Sequence, residues 1–261
     1  MSWDTGGPVT ESLRPWVLGV QAFAMSAARP RVFARLPESA TSLVVSARED
    51  GSFHVAVVGP RLRAFYKSAT RVPGHAAFTF RPGAARAFLD VPLHELSDRA
   101  VPLEELWGSP ALSLRVAIER ARGSLRATTR AVESALVERL EKARAIGART
   151  QLVVRAARAL EASADDIEAI PAVAKRVGVS ERHLRQLFRD EVGVSPKRFA
   201  RIARIRRAVA NVGRVGWAAL AVDNGFYDQA HLNAEFRDLL GTTPREFAAG
   251  KVAVSIESCG R

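Results

Sequence analysis

Three polar side chains, Arg182, Arg185 and Gln186, lie three and four positions apart in a segment with helical spacing. On a helix they share one face, and the apolar residues Leu184 and Phe188 lie on the other. An arginine guanidinium pairs bidentately with O6 and N7 of guanine, and a glutamine amide pairs with N6 and N7 of adenine. This face is therefore suited to reading the edges of base pairs.

The segment that carries these residues recurs 48 positions further along the chain. The chemically similar pairs at this offset are Ser180 and Asp228, His183 and His231, Leu184 and Leu232, Phe188 and Phe236, Gly193 and Gly241, Ser195 and Thr243, Pro196 and Pro244, and Phe199 and Phe247. Such a repeat predicts one supersecondary unit built twice. We therefore expect two equivalent helices, over about 180–192 and 228–240.

Each copy contains the start and stop signals of a helix. Ser180 and Asp228 are good N-caps, because their side chains accept hydrogen bonds from first-turn amides. Gly193 and Gly241 suit the left-handed conformation that ends a helix. A serine or threonine followed by proline, at 195–196 and 243–244, predicts that a further helix begins there.

A short helix is predicted before each of these two helices. Ala174 and Gly178 in the first copy, like Ala221 and Gly225 in the second, combine a small residue at a helix crossing with a glycine in a tight turn. This is the spacing of a helix-turn-helix. The second copy has one more residue before Asp228, so we expect its turn to be one residue longer.

The second copy offers different side chains at the equivalent surface. Gln229 and Asn233 are its polar candidates for base contacts, beside Ala230 and Ala234. Residues 175–214 carry twelve basic and three acidic side chains, a net charge of +9, whereas residues 215–250 have a net charge of −3. We therefore expect the first unit to supply most of the affinity for a polyanion.

Residues 195–212 are predicted to form one linking helix between the copies. Lys197, Arg201 and Arg204 fall roughly opposite its apolar face. Together with Ser180 they are expected to contact phosphate oxygens, because cationic side chains release the counterions of a nucleic acid. A basic face that is merely solvated is the alternative.

The front half of the chain has a different pattern, in which short apolar runs alternate with turn signals. The predicted strands are 32–34, 42–45, 53–58 and 76–80, and the predicted turns between them are 49–51, 59–60 and 72–74. Short helical turns follow at 84–89, 93–96 and 103–107, and longer helices at 111–121 and 125–145. The last of these helices either packs on its own domain or forms a dimer contact.

The predicted fold class is α+β: a small antiparallel sheet or barrel with flanking helices, then an all-α tandem helix-turn-helix joined by a linker helix. The expected domains are a front domain over 1–123, a connecting helix over 124–150, the helical domain over 151–250 and a tail over 251–261.

Composition limits the alternatives. The chain has 261 residues, a net charge of +12 and one cysteine, Cys259, which excludes an internal disulfide framework. The longest uncharged stretch, residues 15–28, is too short to span a bilayer. We therefore expect a cytoplasmic protein with no membrane partner.

The helical motifs resemble those of one known family. Residues 174–188 (AKRVGVSERHLRQLF), 225–236 (GFYDQAHLNAEF) and 241–247 (GTTPREF) resemble the DNA-binding domain of AraC/XylS-type bacterial transcription regulators, over about 151–250. Residues 78–83 (FTFRPG) and 103–108 (LEELWG) are similar to an uncharacterised front domain that some of these regulators carry.

The resemblance implies sequence-specific binding of promoter DNA, with base contacts from Arg182, Arg185 and Gln186. It implies a front domain that senses a small molecule, forms a homodimer, or both, and contact with RNA polymerase if the protein is an activator. The alternatives are a binding protein whose helix-turn-helix domain has lost its affinity for DNA, and a fusion of a regulator with a DNA-repair methyltransferase.

Enzymatic and metal chemistry find little support in the sequence. A methyl-accepting thiol needs a structured, activating site, whereas Cys259 is the third residue from the end. No metal is expected at His183 or His231, because no second ligand stands at the required spacing. We expect no cofactor and no catalytic residue, and we expect Glu181 to pair with Arg185 on the helix surface.

Overall fold

The computed structural model describes residues 9–48, 50–142, 148–162, 169–249 and 253–254. Buried apolar side chains form three clusters: one beneath the sheet of the front half and one in each helical unit of the back half. The α+β fold class is confirmed, with an antiparallel sheet first and helices after it.

The front half is built on one sheet with the strand order β5-β3-β2-β4-β1-β6. The strands are β1 (Val17–Arg35), β2 (Ser42–Ala47), β3 (Phe53–Val58), β4 (Phe65–Phe80), β5 (Ala100–Pro102) and β6 (Ala253–Val254). All neighbouring strands pair antiparallel except β1 and β6, which are parallel. Leu43, Val45 and Phe78 are fully buried and carry the core face of the sheet.

The turn predicted at 72–74 is wrong, because these residues lie inside β4. The pairing of β1 with β4 changes register there, from Phe23 opposite His75 to Met25 opposite Val72. Pro73 has no N–H to donate to a ladder, and a register shift is where a strand tolerates a proline. The sequence pattern also predicted only residues 32–34 of β1 and 76–80 of β4, although β1 begins at Val17 and β4 at Phe65.

Helices cover the sheet and then connect it to the back half. They are α1 (Arg86–Leu89), α2 (Leu103–Trp107), α3 (Ser109–Arg120) and α4 (Leu125–Lys142), with 3-10 helices at Glu11–Leu13 and Leu93–Leu96. Val132 and Leu136 of α4 are fully buried in the core beneath the sheet. The apolar face of α4 is therefore used within its own domain.

The back half contains α5 (Ala148–Ala162), α6 (Ala169–Val177), α7 (Glu181–Glu191), α8 (Pro196–Asn211), α9 (Trp217–Asp223), α10 (Gln229–Leu240) and α11 (Pro244–Ala248). One apolar cluster joins α5, α6, α7 and the start of α8, and another joins the end of α8 with α9, α10 and α11. The helix α8 is thus shared by both units.

The two halves are docked against each other. The N–H of Ala64, in the connection between β3 and β4, donates to the carbonyl of Leu239 at 2.8 Å. The hydroxyl of Ser97 donates to the carbonyl of Gly193 at 2.7 Å. Leu62 packs against the first helical cluster and Leu36 is buried in the second. The front half therefore contacts both helical units.

Candidate nucleic-acid interface

The helix α7 begins and packs as its sequence predicts. Ser180 Oγ accepts a hydrogen bond from the N–H of His183 at 3.2 Å, which satisfies a first-turn donor. Leu184 and Phe188 are fully buried, and the ring of Phe188 meets that of Phe199 on α8 edge-on, with centroids 5.5 Å apart. These contacts fix the rotation of α7 and determine which face points outward.

The outward face of α7 carries the three predicted base-reading residues. Arg182, Arg185 and Gln186 are all exposed. Arg185 Nη2 lies 2.8 Å from Glu181 Oε2, so the predicted surface ion pair is confirmed. Gln186 Nε2 donates to Asp190 Oδ1 at 3.0 Å. An exposed ion pair stabilises a protein by less than about 1 kcal/mol. The polar end groups of these side chains can therefore leave their present partners and bind a ligand.

A hollow of about 400 Å³ opens between α7 and the start of α8. Its lining residues are Arg182, Arg185, Gln186, Arg189, Gly193, Val194 and Ser195. Three guanidinium groups border one depression, so the local potential favours an anion. Arg189 was not among the residues singled out from the sequence, although it continues the face of Arg182, Arg185 and Gln186 by one more helical turn.

The helix α10 repeats this arrangement with different side chains. Asp228 Oδ1 accepts from the N–H of His231 at 2.7 Å, and Leu232 and Phe236 are fully buried. Gln229 is exposed and Asn233 is half-buried on the outward side. The structure thus places the predicted base-reading residues on two separate helices that share the same kind of cap.

The second turn is longer than the first, as expected, but by two residues and not by one. The first runs over residues 178–180 and the second over 224–228. In both, the residue after the glycine donates its N–H to the alanine carbonyl five positions before it: Val179 to Ala174 at 3.0 Å, and Phe226 to Ala221 at 2.9 Å.

The prediction that Arg201 and Arg204 lie on a solvent face of α8 is wrong. Arg204 is only 4% exposed, donates to the carbonyl of Gly225 at 3.2 Å and lies 4.9 Å from the centre of the Phe226 ring. Arg201 Nη2 lies 2.6 Å from Asp238 Oδ2. Because α8 is packed between two units, both guanidinium groups are used in contacts inside the fold.

The ion pairs of α8 shift the pKa values of both partners. Burial alone would lower the pKa of Arg201, but its hydrogen bonds and charge interactions with Glu235 and Asp238 outweigh burial and raise the pKa. Burial would raise the pKa of Asp238, but the hydrogen bonds and charges of Arg201 and Arg198 lower it overall. The residues keep opposite charges, which hold α8 against α10.

Two of the predicted phosphate contacts remain accessible. Lys197 is exposed near the start of α8, and Ser180 is exposed at the start of α7, where its hydroxyl also serves as the cap. Ser180 retains its own O–H as a donor while its oxygen accepts from His183.

The side chain of His231 has structural partners. His231 Nδ1 accepts from the N–H of Tyr227 at 3.3 Å, and its ring meets Phe226 edge-on with centroids 5.6 Å apart. In the part of the chain that the structure describes, no three histidine, cysteine, aspartate or glutamate side chains gather as metal ligands. Cys259 lies outside the described residues.

Comparison with known proteins agrees with this geometry. Residues 173–250 match a family model described as a helix-turn-helix domain, and residues 10–102 match a domain of unknown function, DUF6597. No match was found among curated proteins.

Among solved structures, ToxT from Vibrio cholerae O395 is similar, with 9% identity and a TM-score of 0.42, covering 88% of this chain and 96% of that one. Unsaturated fatty acid bound wild-type ToxT from strain SCE256 is similar at 10% identity and a TM-score of 0.42, covering 88% and 94%.

The chain carries a helix-turn-helix domain, as both the repeated, capped helix pairs and the matched model indicate. Its C-terminal part is an AraC-type helix-turn-helix domain that follows a DUF6597 domain, and the resemblance to AraC/XylS-type regulators is confirmed. None of the described helices is both long and apolar enough to cross a membrane.

Proposed function

We propose that this protein binds promoter DNA sequence-specifically by placing α7 and α10 in successive major-groove faces. One observation carries the proposal: two helices at equivalent positions of a repeat bury one face and expose the other, and the exposed faces carry side chains that pair with base edges. We call α7 and α10 the recognition helices.

The linking helix supports this arrangement. At 1.5 Å per residue, the 16 residues of α8 span about 24 Å. Equivalent major-groove faces on one side of a duplex lie about 34 Å apart. A rigid helix of this length, packed against both units, can keep two recognition helices at a separation of that order.

Each exposed residue has a defined task in this proposal. Arg182, Arg185 and Gln186 of α7, with Gln229 and Asn233 of α10, contact base edges. Ser180 and Lys197 contact phosphates, and Arg189 and Arg237 join them at the far ends of the two outward faces. Phosphate contacts set the position of the protein on DNA, and base contacts set its sequence preference.

The first unit supplies most of the affinity. Its exposed basic side chains include Arg182, Arg185, Arg189 and Lys197, whereas residues 215–250, which contain α10, have a net charge of −3. Counterion release therefore favours binding by α7. We propose no catalytic residue and no cofactor. A small-molecule effector, a homodimer, contact with RNA polymerase and a cytoplasmic location remain predictions from the resemblance.

The test begins with the full-length protein and a pool of random duplexes, from which bound sequences are selected. Arg185→Ala is expected to weaken binding to the selected duplex by about 5- to 150-fold, because a bidentate base contact is worth roughly 1–3 kcal/mol. Asn233→Ala is expected to cost less. Arg130→Ala is a control that removes the same charge from an exposed site on α4.

Two outcomes would contradict the proposal. If no duplex is enriched and none shifts at low salt, the protein has lost its affinity for DNA, which was the alternative from the sequence. If Asn233→Ala weakens binding as much as Arg185→Ala, the first unit does not dominate.

A further inference from the structure

The outward faces of the two recognition helices differ in one systematic way. At the 48-residue offset, Arg182 is replaced by Ala230, Arg185 by Asn233 and Gln186 by Ala234. Ala230 and Ala234 are exposed, one helical turn apart. Both guanidinium groups of the base-reading surface are thus replaced by smaller, uncharged side chains.

The arginine at the far end of the face is present in both units. Arg189 in α7 and Arg237 in α10 occupy equivalent positions, and both are exposed. Arg237 is the only arginine or lysine in the sequence of α10. The change therefore affects the residues placed to contact bases and leaves the terminal cation in place.

This exchange alters which bases α10 can recognise. Guanine is read mainly by bidentate arginine or lysine, and α10 has neither near its N-terminus. Glutamine and asparagine, present as Gln229 and Asn233, pair with adenine. Alanine methyl groups contact the C5-methyl group of thymine. Adenine and thymine are partners in one base pair, so both kinds of contact select the same pair.

An exposed aromatic ring lies at the start of the same helix. The side chain of Tyr227 is 91% exposed and directly precedes the N-cap Asp228. Its main-chain N–H is held by His231 Nδ1 at 3.3 Å, so the backbone beneath the ring is anchored. Val222, 68% exposed on α9, adds a second apolar side chain to this unit. Contact with another apolar group removes such surface from water, which lowers the free energy of the complex.

We propose, on the basis of the DNA-binding function proposed above, that the two half-sites of the target differ in their bases. The helix α7 reads a half-site that contains guanine. The helix α10 reads a half-site made only of A·T pairs, and it does so largely through the methyl groups of thymine, with Ala230, Ala234 and Tyr227 as the apolar surface.

Deoxyuridine tests the methyl contacts directly, because it pairs as thymine does and lacks only the C5-methyl group. In a duplex selected by the full-length protein, thymines of the second half-site are replaced by deoxyuridine. Affinity is expected to fall about fourfold for each buried methyl group that is removed. The same replacement in the first half-site is the control and is expected to change affinity by less than twofold.

A protein variant provides the reverse test. Ala230→Arg restores the guanidinium that α7 carries at the equivalent position, and selection with this variant is expected to enrich guanine in the second half-site. Thermal unfolding monitored by circular dichroism checks that the variant folds.

The outcomes distinguish this inference from the proposed function. The wild-type protein could select a duplex but require G·C pairs in both half-sites, or its affinity could be unchanged by deoxyuridine in the second half-site. Either result overturns this inference and leaves the proposal of DNA binding intact. If the wild-type protein selects no duplex, the proposed function itself is overturned, and this inference with it.

Discussion

Asp190 and Asp238 occupy equivalent positions near the ends of the two recognition helices, and each is bound by an arginine from outside its own helix pair. Arg149 Nη2 of α5 lies 3.0 Å from Asp190 Oδ2. Arg63 Nη2, in the connection between β3 and β4, lies 3.0 Å from Asp238 Oδ1. The far end of each recognition helix is therefore tied to an element that precedes the helix-turn-helix.

Asp238 is expected to contribute to stability through three arginines. Besides Arg63, it is bound by Arg198 at 3.2 Å and by Arg201 at 2.6 Å. Asp238→Asn removes the charge and should lower the free energy of unfolding by about 1–2 kcal/mol, less than for a fully buried pair because the carboxylate is partly exposed. Urea denaturation measures it, with Asp223→Asn on α9 as an exposed control; equal stability of both variants would contradict the prediction.

Gly193 is expected to tolerate a side chain less well than its equivalent Gly241. Both have positive φ angles, 88° and 66°. A Cβ at Gly193 would lie 2.7 Å from the carbonyl oxygen of Leu93, whereas a Cβ at Gly241 would meet nothing within 4 Å. Gly241→Ala should cost about 1–2 kcal/mol of backbone strain, and Gly193→Ala should cost more because it also separates the two halves.

Chemical denaturation of the two glycine variants gives the difference directly, and limited proteolysis shows whether the halves of Gly193→Ala have come apart. Equal losses of stability would mean that the contact between Gly193 and Leu93 contributes nothing.

Lys197 and Arg204 are expected to behave oppositely although both are basic residues of α8. Lys197→Ala should leave the fold intact and reduce the slope of log affinity against log salt by about 1, as for one lost phosphate contact. Arg204→Ala should lower the free energy of unfolding, because it leaves a space beside Phe226 and removes the donor to Gly225. Binding titrations at several salt concentrations, together with thermal unfolding, separate the two; an unchanged slope for Lys197→Ala would remove it from the interface.

His75 should make the protein less stable in acid. Burial, with the charge of Arg35 as a smaller cause, lowers the pKa of His75 from 6.5 to about 4. The unfolded chain therefore binds a proton that the folded chain does not, and stability is lost as the pH falls from about 6.5 towards 4. The full effect is on the order of 3 kcal/mol.

Urea unfolding at a series of pH values measures this dependence. The His75→Gln variant keeps a polar side chain that does not titrate, and it should show a shallower loss of stability over the same interval. Identical pH profiles for the two proteins would rule out His75 as the source.

The repeat and its caps could be predicted because they depend on residues close together in the chain. Ser180 and Asp228 accept hydrogen bonds from amides three positions ahead, as expected, and Thr243 and Glu246 complete a capping box at the start of α11. Helical spacing then separates the buried Leu184 and Phe188 from the exposed face of α7. Arg189 and Arg237 could also have been found, by applying the 48-residue offset along the whole helix.

Whether the arginines of α8 are exposed or paired inside the fold could not be predicted, because it depends on the elements that pack against them. Helical periodicity placed Arg201 and Arg204 away from the apolar face, but α10 and the turn before it cover that side too. Likewise, Pro73 predicts a turn when the sequence is considered alone. The register shift in the pairing of β1 with β4 lets the strand accommodate this proline.

Local sequence thus determined where the helices begin, how the unit repeats and which side chains are offered at each outward face, since capping and periodicity act over a few residues. Only the tertiary structure decided which charged side chains form ion pairs inside the protein and how the front half contacts the ends of both recognition helices. Those outcomes depend on contacts between residues far apart in the chain, such as Arg63 with Asp238, which no local pattern specifies.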